Sequence, residues 1–241
     1  FLFVIGAVLA MRGSAGRAEG SNRGGSLAAG VEGLRFVFST PLIRSTMLLD
    51  FFATFFASAT ALLPIFPQDI LHVGARGYGL LSSAPSVGAI LASVVMVRVV
   101  DRIDRRGQVL LWAITVYGLA TVMFGMSHVF LLSFVCLALT GAADTVSMVI
   151  RNLVRQLTTP DHMRGRMTSV NMIFFQGGPQ LGELEAGLVA NAWGPVFSVV
   201  SGGAGCLLAT ALIASRTPQL RNYRASIHLP PADDVREGGL S

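Results

Sequence analysis

Eighteen basic side chains, every one an arginine, are sorted by the apolar stretches between them into crowded and nearly empty connections. Crossing a bilayer's hydrocarbon layer takes about 20 mainly apolar residues in a helix. Six stretches qualify: 46–66, 78–97, 108–127, 129–150, 168–190 and 194–214. Arg12, Arg17, Arg23, Arg35 and Arg44 precede the first. Arg98, Arg102, Arg105 and Arg106 follow the second, Arg151, Arg155, Arg164 and Arg166 the fourth, and Arg216, Arg221, Arg224 and Arg236 the sixth. The alternate connections hold Arg76 and no other arginine. Arginine-rich connections stay in the cytoplasm, so the chain is expected to cross six times with both ends inside. This makes it an all-α integral membrane protein, with membrane lipid as its first partner.

Composition agrees. The chain is 52% hydrophobic and 13% charged, about half the charge of soluble chains. A net charge of +5 suggests nucleic acid in a soluble protein, but here the arginines flank apolar spans, and no nucleic-acid partner is expected. The absence of lysine excludes a P-loop and a Schiff-base nucleophile. Cys136 and Cys206 lie in apolar runs and read as small buried filler. With no GxSxG, no HExxH and four dispersed histidines, neither catalytic residues nor a metal site is expected, and nothing calls for a cofactor.

The parts outside the spans are legible in outline. Residues 1–11, FLFVIGAVLAM, are too short to cross and read as the end of a truncated transmembrane helix, a signal peptide being the competing reading. Residues 12–45 form a cytoplasmic linker: a Gly/Ser/Arg-rich part to residue 26, then a helix lying on the leaflet through Leu27, Val31, Leu34 and Phe38 and ended by Pro41. Residues 46–215 are the six-helix domain, and 216–241 a disordered cytoplasmic tail.

Pro85, Gly88 and Ala92 in the second span repeat the spacing of Pro179, Gly182 and Ala186 in the fifth. By the arginine rule these two spans run in opposite directions, so the six helices divide into two inverted sets of three. Small residues every fourth position, at Ala84/Gly88/Ala92, Gly178/Gly182/Ala186 and Ser201/Gly205/Ala209, let helix backbones come close in lipid. Gly177, Gly178, Pro179 and Gly182 are expected to form a kink or hinge.

Ionisable groups within a span need a reason to be there. Asp144 and Arg151 lie two turns apart on one helical face, which Arg155 extends. Asp144 is read either as a proton- or substrate-coupling carboxylate or as a structural partner of an arginine. Glu183 is the deeper candidate for protonation, Glu185 the more solvated, and Asp50 is read first as structural. Asp101, Arg102, Arg105 and Arg106, in the short loop 99–108, suit a gate whose charges pair in one state and part in another.

The run 141–170, GAADTVSMVIRNLVRQLTTPDHMRGRMTSV, followed by GGPQLGELEAGLVA at 177–190, resembles the C-terminal half of a major facilitator superfamily transporter. The resemblance is to the branch with the bacterial enterobactin exporter and related drug-efflux permeases. EGLRFVFSTPLIRS, 32–45, resembles that branch's linker between halves. DRIDRRG, 101–107, is similar to the superfamily's loop signature G-x-x-x-D-R-x-G-x-R-R. Val97 and Asp104 stand at its glycine positions, so Asp101, Arg102 and Arg106 carry over. Gly178, Pro179 and Gly182 resemble the end of the antiporter signature, which belongs to a helix of the other half. The resemblance implies a twelve-helix fold of which this chain holds the last six, with an N-terminal six-helix half as partner. It also implies proton-driven export of a small organic molecule, such as a siderophore or drug. Two alternatives remain at this point: the permease half of an ATP-driven exporter, and a membrane-embedded enzyme built on Asp50 with Asp144.

Overall fold

A computed structural model describes residues 34–35, 37–56, 59–160, 163–221 and 223. The expected span end at 1–11, the linker at 12–26, most of the leaflet helix and the tail beyond 223 lie outside them. The described residues are helical throughout, without a strand.

Helix α1 is Pro41–Phe56, followed by a 3-10 turn at Ala59–Leu62 and a π-turn at Phe66–Ile70. Helix α2, Gly74–Val99, passes through a 3-10 turn, Val100–Arg102, to α3, Arg106–Met126. Helices α4 (Phe130–Thr158), α5 (Arg164–Trp193) and α6 (Pro195–Arg216) follow, and a single turn, α7 (Pro218–Arg221), closes the series. Among the described residues, four helical stretches are long and apolar enough to cross a membrane: Gly74–Arg102, Arg106–Met126, Phe130–Thr158 and Pro195–Arg216.

The two remaining expected spans differ from the other four for physical reasons. Helix α1 has 16 residues, about 24 Å at 1.5 Å per residue, short of the ~30 Å hydrocarbon layer. The irregular turns over 59–70 replace its second half. Helix α5 has 30 residues, but Asn171, Gln176, Gln180, Glu183, Glu185 and Asn191 make it too polar to qualify.

Packing runs α2–α4–α3–α6, with α1 against α5 and α6, and α5 against α6. The pattern is small inside, large outside. Helix α2 buries Ala84, Gly88 and Ala92, while Ile90, Leu91, Val95 and Val97 are exposed. Water would oppose that distribution, whereas lipid accepts it, because helix association in lipid rests on close backbone approach. At Gly88 a Cβ would lie 1.7 Å from the Ala138 carbonyl oxygen, and at Gly141 2.0 Å from that of Pro85, so α2 and α4 touch backbone to backbone. The expected stripe on α6 is rotated: Gly202, Gly203, Cys206 and Thr210 are buried, whereas Ser201, Gly205 and Ala209 are half-buried.

Two boundaries can be placed among the described residues. The helical residues 37–39 stop at Thr40, and Pro41 begins α1, because proline suits a first turn that needs no N–H donor. Before it, Leu34 and Phe38 are exposed and Val37 is buried against Ile43, Met47, Met167 and Val170. The start of the tail is also packed. Leu220 is fully buried among Leu49, Leu110, Ile150 and Val154. Its carbonyl oxygen sits 1.7 Å from where a Gly107 Cβ would be, and Ser45 Oγ donates to Thr217 Oγ1 at 3.1 Å.

Helix α5 runs unbroken through Gly177, Gly178 and Pro179. Gly178 is buried against Thr54 and Phe51 of α1, whereas no atom lies within 4 Å of a Gly177 Cβ position. Gly194, at φ +89°, alone separates α5 from α6. That backbone region suits a residue without a Cβ.

Candidate functional site

The site is built where α1, α4 and α5 meet. The apolar face of α1 carries Leu49 and Ala53 into the core, and the same register buries Asp50 at 7% exposure. A carboxylate cannot be left there alone, since an unpaired buried charge is far costlier than a paired one. Helix α4 supplies the partner: Arg151 Nη1 lies 2.7 Å from Asp50 Oδ1, with both side chains 10% exposed. Asp50 Oδ1 has no aligned hydrogen bond, so this contact is coulombic rather than directional.

Asp144, two turns earlier on α4, reaches the other side of the same guanidinium, its Oδ1 4.0 Å from Nη2. Its side chain is half exposed. One arginine therefore stands between two carboxylates, one enclosed and one accessible. A turn beyond, Arg155 Nη2 donates to Asn152 Oδ1 at 2.7 Å. A cleft of about 250 Å³ opens over these groups, with Asn171 and Phe175 of α5 and Met148 of α4 in its wall. A second hollow of about 310 Å³ adjoins it through Arg155 and Met167. Polar groups that pair in one geometry, beside apolar and aromatic walls, suit the binding of a small organic molecule.

The structure thus brings Asp50, Asp144, Arg151 and Arg155 together. The Asp144–Arg151 face follows from the sequence spacing, but Asp50 as the closer partner of Arg151 does not. Asn152, Asn171 and Phe175 were missed too; a polar residue within a span, such as Asn171, is the signal that marks such positions.

The remaining candidates lie elsewhere. Glu183 is exposed and Glu185 half-buried on α5. No ion pair or hydrogen bond joins either to the cluster among the described residues. Asp101, Arg102 and Arg105 are exposed and, among the described residues, unpaired. Arg106 is not a loop residue: it begins α3, is 8% exposed, and its Nε has no partner among the described residues.

Comparison with known proteins places the chain by its sequence. The family described as transmembrane secretion effector (MFS_3) matches residues 1–236. An enterobactin exporter, EntS, of Citrobacter koseri is 28% identical over 200 residues, 83% of this chain and 47% of that protein. The enterobactin exporter of Escherichia coli O157:H7 is 27% identical over 206 residues, 86% and 48% respectively. That of Escherichia coli O1:K1 is 27% identical over 192 residues, 80% and 46%. The chain spans about half the length of these curated relatives. No solved structure matches it.

Proposed function

Since the chain belongs to the major facilitator family of transmembrane secretion effectors, a family of transporters rather than enzymes, we propose that it is the C-terminal six-crossing half of a proton-coupled exporter. In this reading α1, with its irregular continuation, and α5 are the two further crossings, and the six helices form two inverted sets of three. The arginine-rich ends face the cytoplasm of a bacterium. A preceding six-helix half completes the carrier. The cargo is a small organic molecule of the siderophore or drug class, a reading supported by the relatives named for enterobactin export.

The observation that carries this is the shared guanidinium. Arg151 has one charge to divide between Asp50 and Asp144. A proton on the accessible Asp144 ends its claim on Arg151, whose charge then pairs with Asp50 alone. Loss of that proton draws Arg151 back. Because Asp50 is on α1 and Arg151 on α4, the exchange changes how strongly the two helices hold together beside the cleft. Rocking between inward- and outward-open forms requires a change at such a place. Asp144 is the proton carrier in this scheme, Arg151 the switch and Asp50 the fixed counter-ion. Glu183 and Glu185, on a face this half leaves open, are the secondary candidates, Asp101, Arg102 and Arg105 the gate, and Gly177–Gly178–Pro179 with Gly182 the hinge.

The test uses the intact protein in liposomes carrying an imposed pH gradient. Export of a siderophore or dye that ceases with an uncoupler, is unaffected by vanadate, and is lost in Asp144→Asn is the expected result. Gradient-independent flux, or full coupling in the Asp50→Asn, Asp144→Asn double variant, overturns the scheme.

A further inference from the structure

Away from the cleft, a further hollow of about 370 Å³ lies between α3 and the closing turn α7, lined by Gln108, Leu111, Trp112, Thr115 and Arg221. We propose that it holds an anionic phospholipid, with the phosphate at Arg221 and Gln108 and an acyl chain along Leu111 and Trp112. The inference rests on the reading above that this arginine-rich end lies at the inner leaflet.

Three observations carry it. First, the lining runs along one helical face: Gln108, Leu111, Trp112 and Thr115 recur at three- and four-residue steps, with Gln108 and Arg221 at the helix end, apolar Leu111 and Trp112 deeper, and the Thr115 hydroxyl already bonded to the Leu111 carbonyl. Trp112 lies about 9 Å along the axis from the first residue of α3 and is 70% exposed. A ring that stays uncovered at that depth suits the headgroup–acyl boundary. Second, the cationic end lacks counter-charges. Among the described residues Arg105, Arg106, Arg216 and Arg221 have no carboxylate partner, although Asp101 and Asp104 lie in the adjoining turn. Arg106 is also buried with its Nε unsatisfied, and the N-terminus of a 21-residue helix adds positive potential. Third, Arg221 is held in place. Leu220 is buried in the core, and Gly107 N–H donates to the Tyr223 carbonyl at 3.4 Å, which fixes the turn over the start of α3. A free phosphate would satisfy the arginines but leave Leu111 and Trp112 bare. A phospholipid covers both.

The experiment places the intact protein in nanodiscs with Trp112 as its only tryptophan, Trp193→Phe included. Quenching by acyl-brominated phosphatidylglycerol is compared with that by acyl-brominated phosphatidylcholine. One interfacial arginine is worth about a five-fold preference for anionic lipid, so phosphatidylglycerol is expected to reach half-quenching at about one-fifth of the phosphatidylcholine fraction. Arg221→Gln should bring the two curves together and Arg221→Lys should keep them apart. Equal quenching by both lipids in the parent, or a preference that survives Arg221→Gln, overturns the proposal. So does displacement of phosphatidylglycerol by millimolar inorganic phosphate, which would assign the site to a soluble anion. Flux plays no part in this readout, so loss of proton coupling and loss of lipid preference are separately visible.

Discussion

Arg151 of α4 lies 2.7 Å from Asp50 of α1 and 4.0 Å from Asp144 of its own helix. The nearer contact is sealed and the farther one half open. The two carboxylates therefore differ in what their loss does, although they share a partner.

Removing the arginine strands a charge. In Arg151→Met, Asp50 stays buried without its counter-ion, which costs about 3–5 kcal/mol. Thermal unfolding of the purified protein should fall markedly, and the Asp50→Asn, Arg151→Met double variant should recover most of the loss without recovering transport.

Asp144→Asn is expected to behave differently. A half-exposed pair at 4.0 Å contributes about 0–1 kcal/mol, so unfolding should barely move while gradient-driven export is lost. Stability and flux measured on the same preparation separate the two carboxylates.

The α2–α4 contact leaves no room for a methyl group. Gly88→Ala would set its Cβ 1.7 Å from the Ala138 carbonyl oxygen, and overpacking of this kind costs about 1–3 kcal/mol or more. Reduced yield of folded protein and a lower unfolding temperature are expected. Gly177→Ala, with no atom within 4 Å, should leave both unchanged in the half described.

Orientation has its own check. Cysteines introduced at Ile103 and Pro160, each in an arginine-rich connection, should react with a membrane-impermeant maleimide in inside-out vesicles and stay unmodified in intact cells. Native Cys136 and Cys206, at 1% and 0% exposure, should react in neither until the protein is unfolded.

Leu220 gives a prediction for the segment after α6. Its burial among Leu49, Leu110 and Ile150 makes Leu220→Ala a cavity-forming change worth about 2–5 kcal/mol. Earlier thermal unfolding and faster proteolysis at Arg221 are the expected readouts.

What the sequence made legible is local. Four apolar stretches correspond to helices of crossing length, and the i, i+7 spacing set Asp144 and Arg151 on one face. The Ala84/Gly88/Ala92 stripe is buried as its spacing implies. What it concealed depends on elements far apart in the chain. Asp50 and Arg151 are separated by a hundred residues, and no spacing rule joins them. Leu220 sits in a largely polar tail, without periodicity to mark it. Which side of α5 faces α1 is set by the Gly178 contact with Phe51 and Thr54, and no spacing within α5 names those partners. The 3-10 and π-turns over 59–70 are a break that a uniformly apolar run does not announce.

The single glycine between α5 and α6 ties the mechanics of two helices together. With one residue of slack, tilting α5 drags the near end of α6 along, and α6 in turn levers α3, its most extensive neighbour. In the proposed scheme, a tilt of α5 beside the cleft would thereby reach the far flank of the bundle.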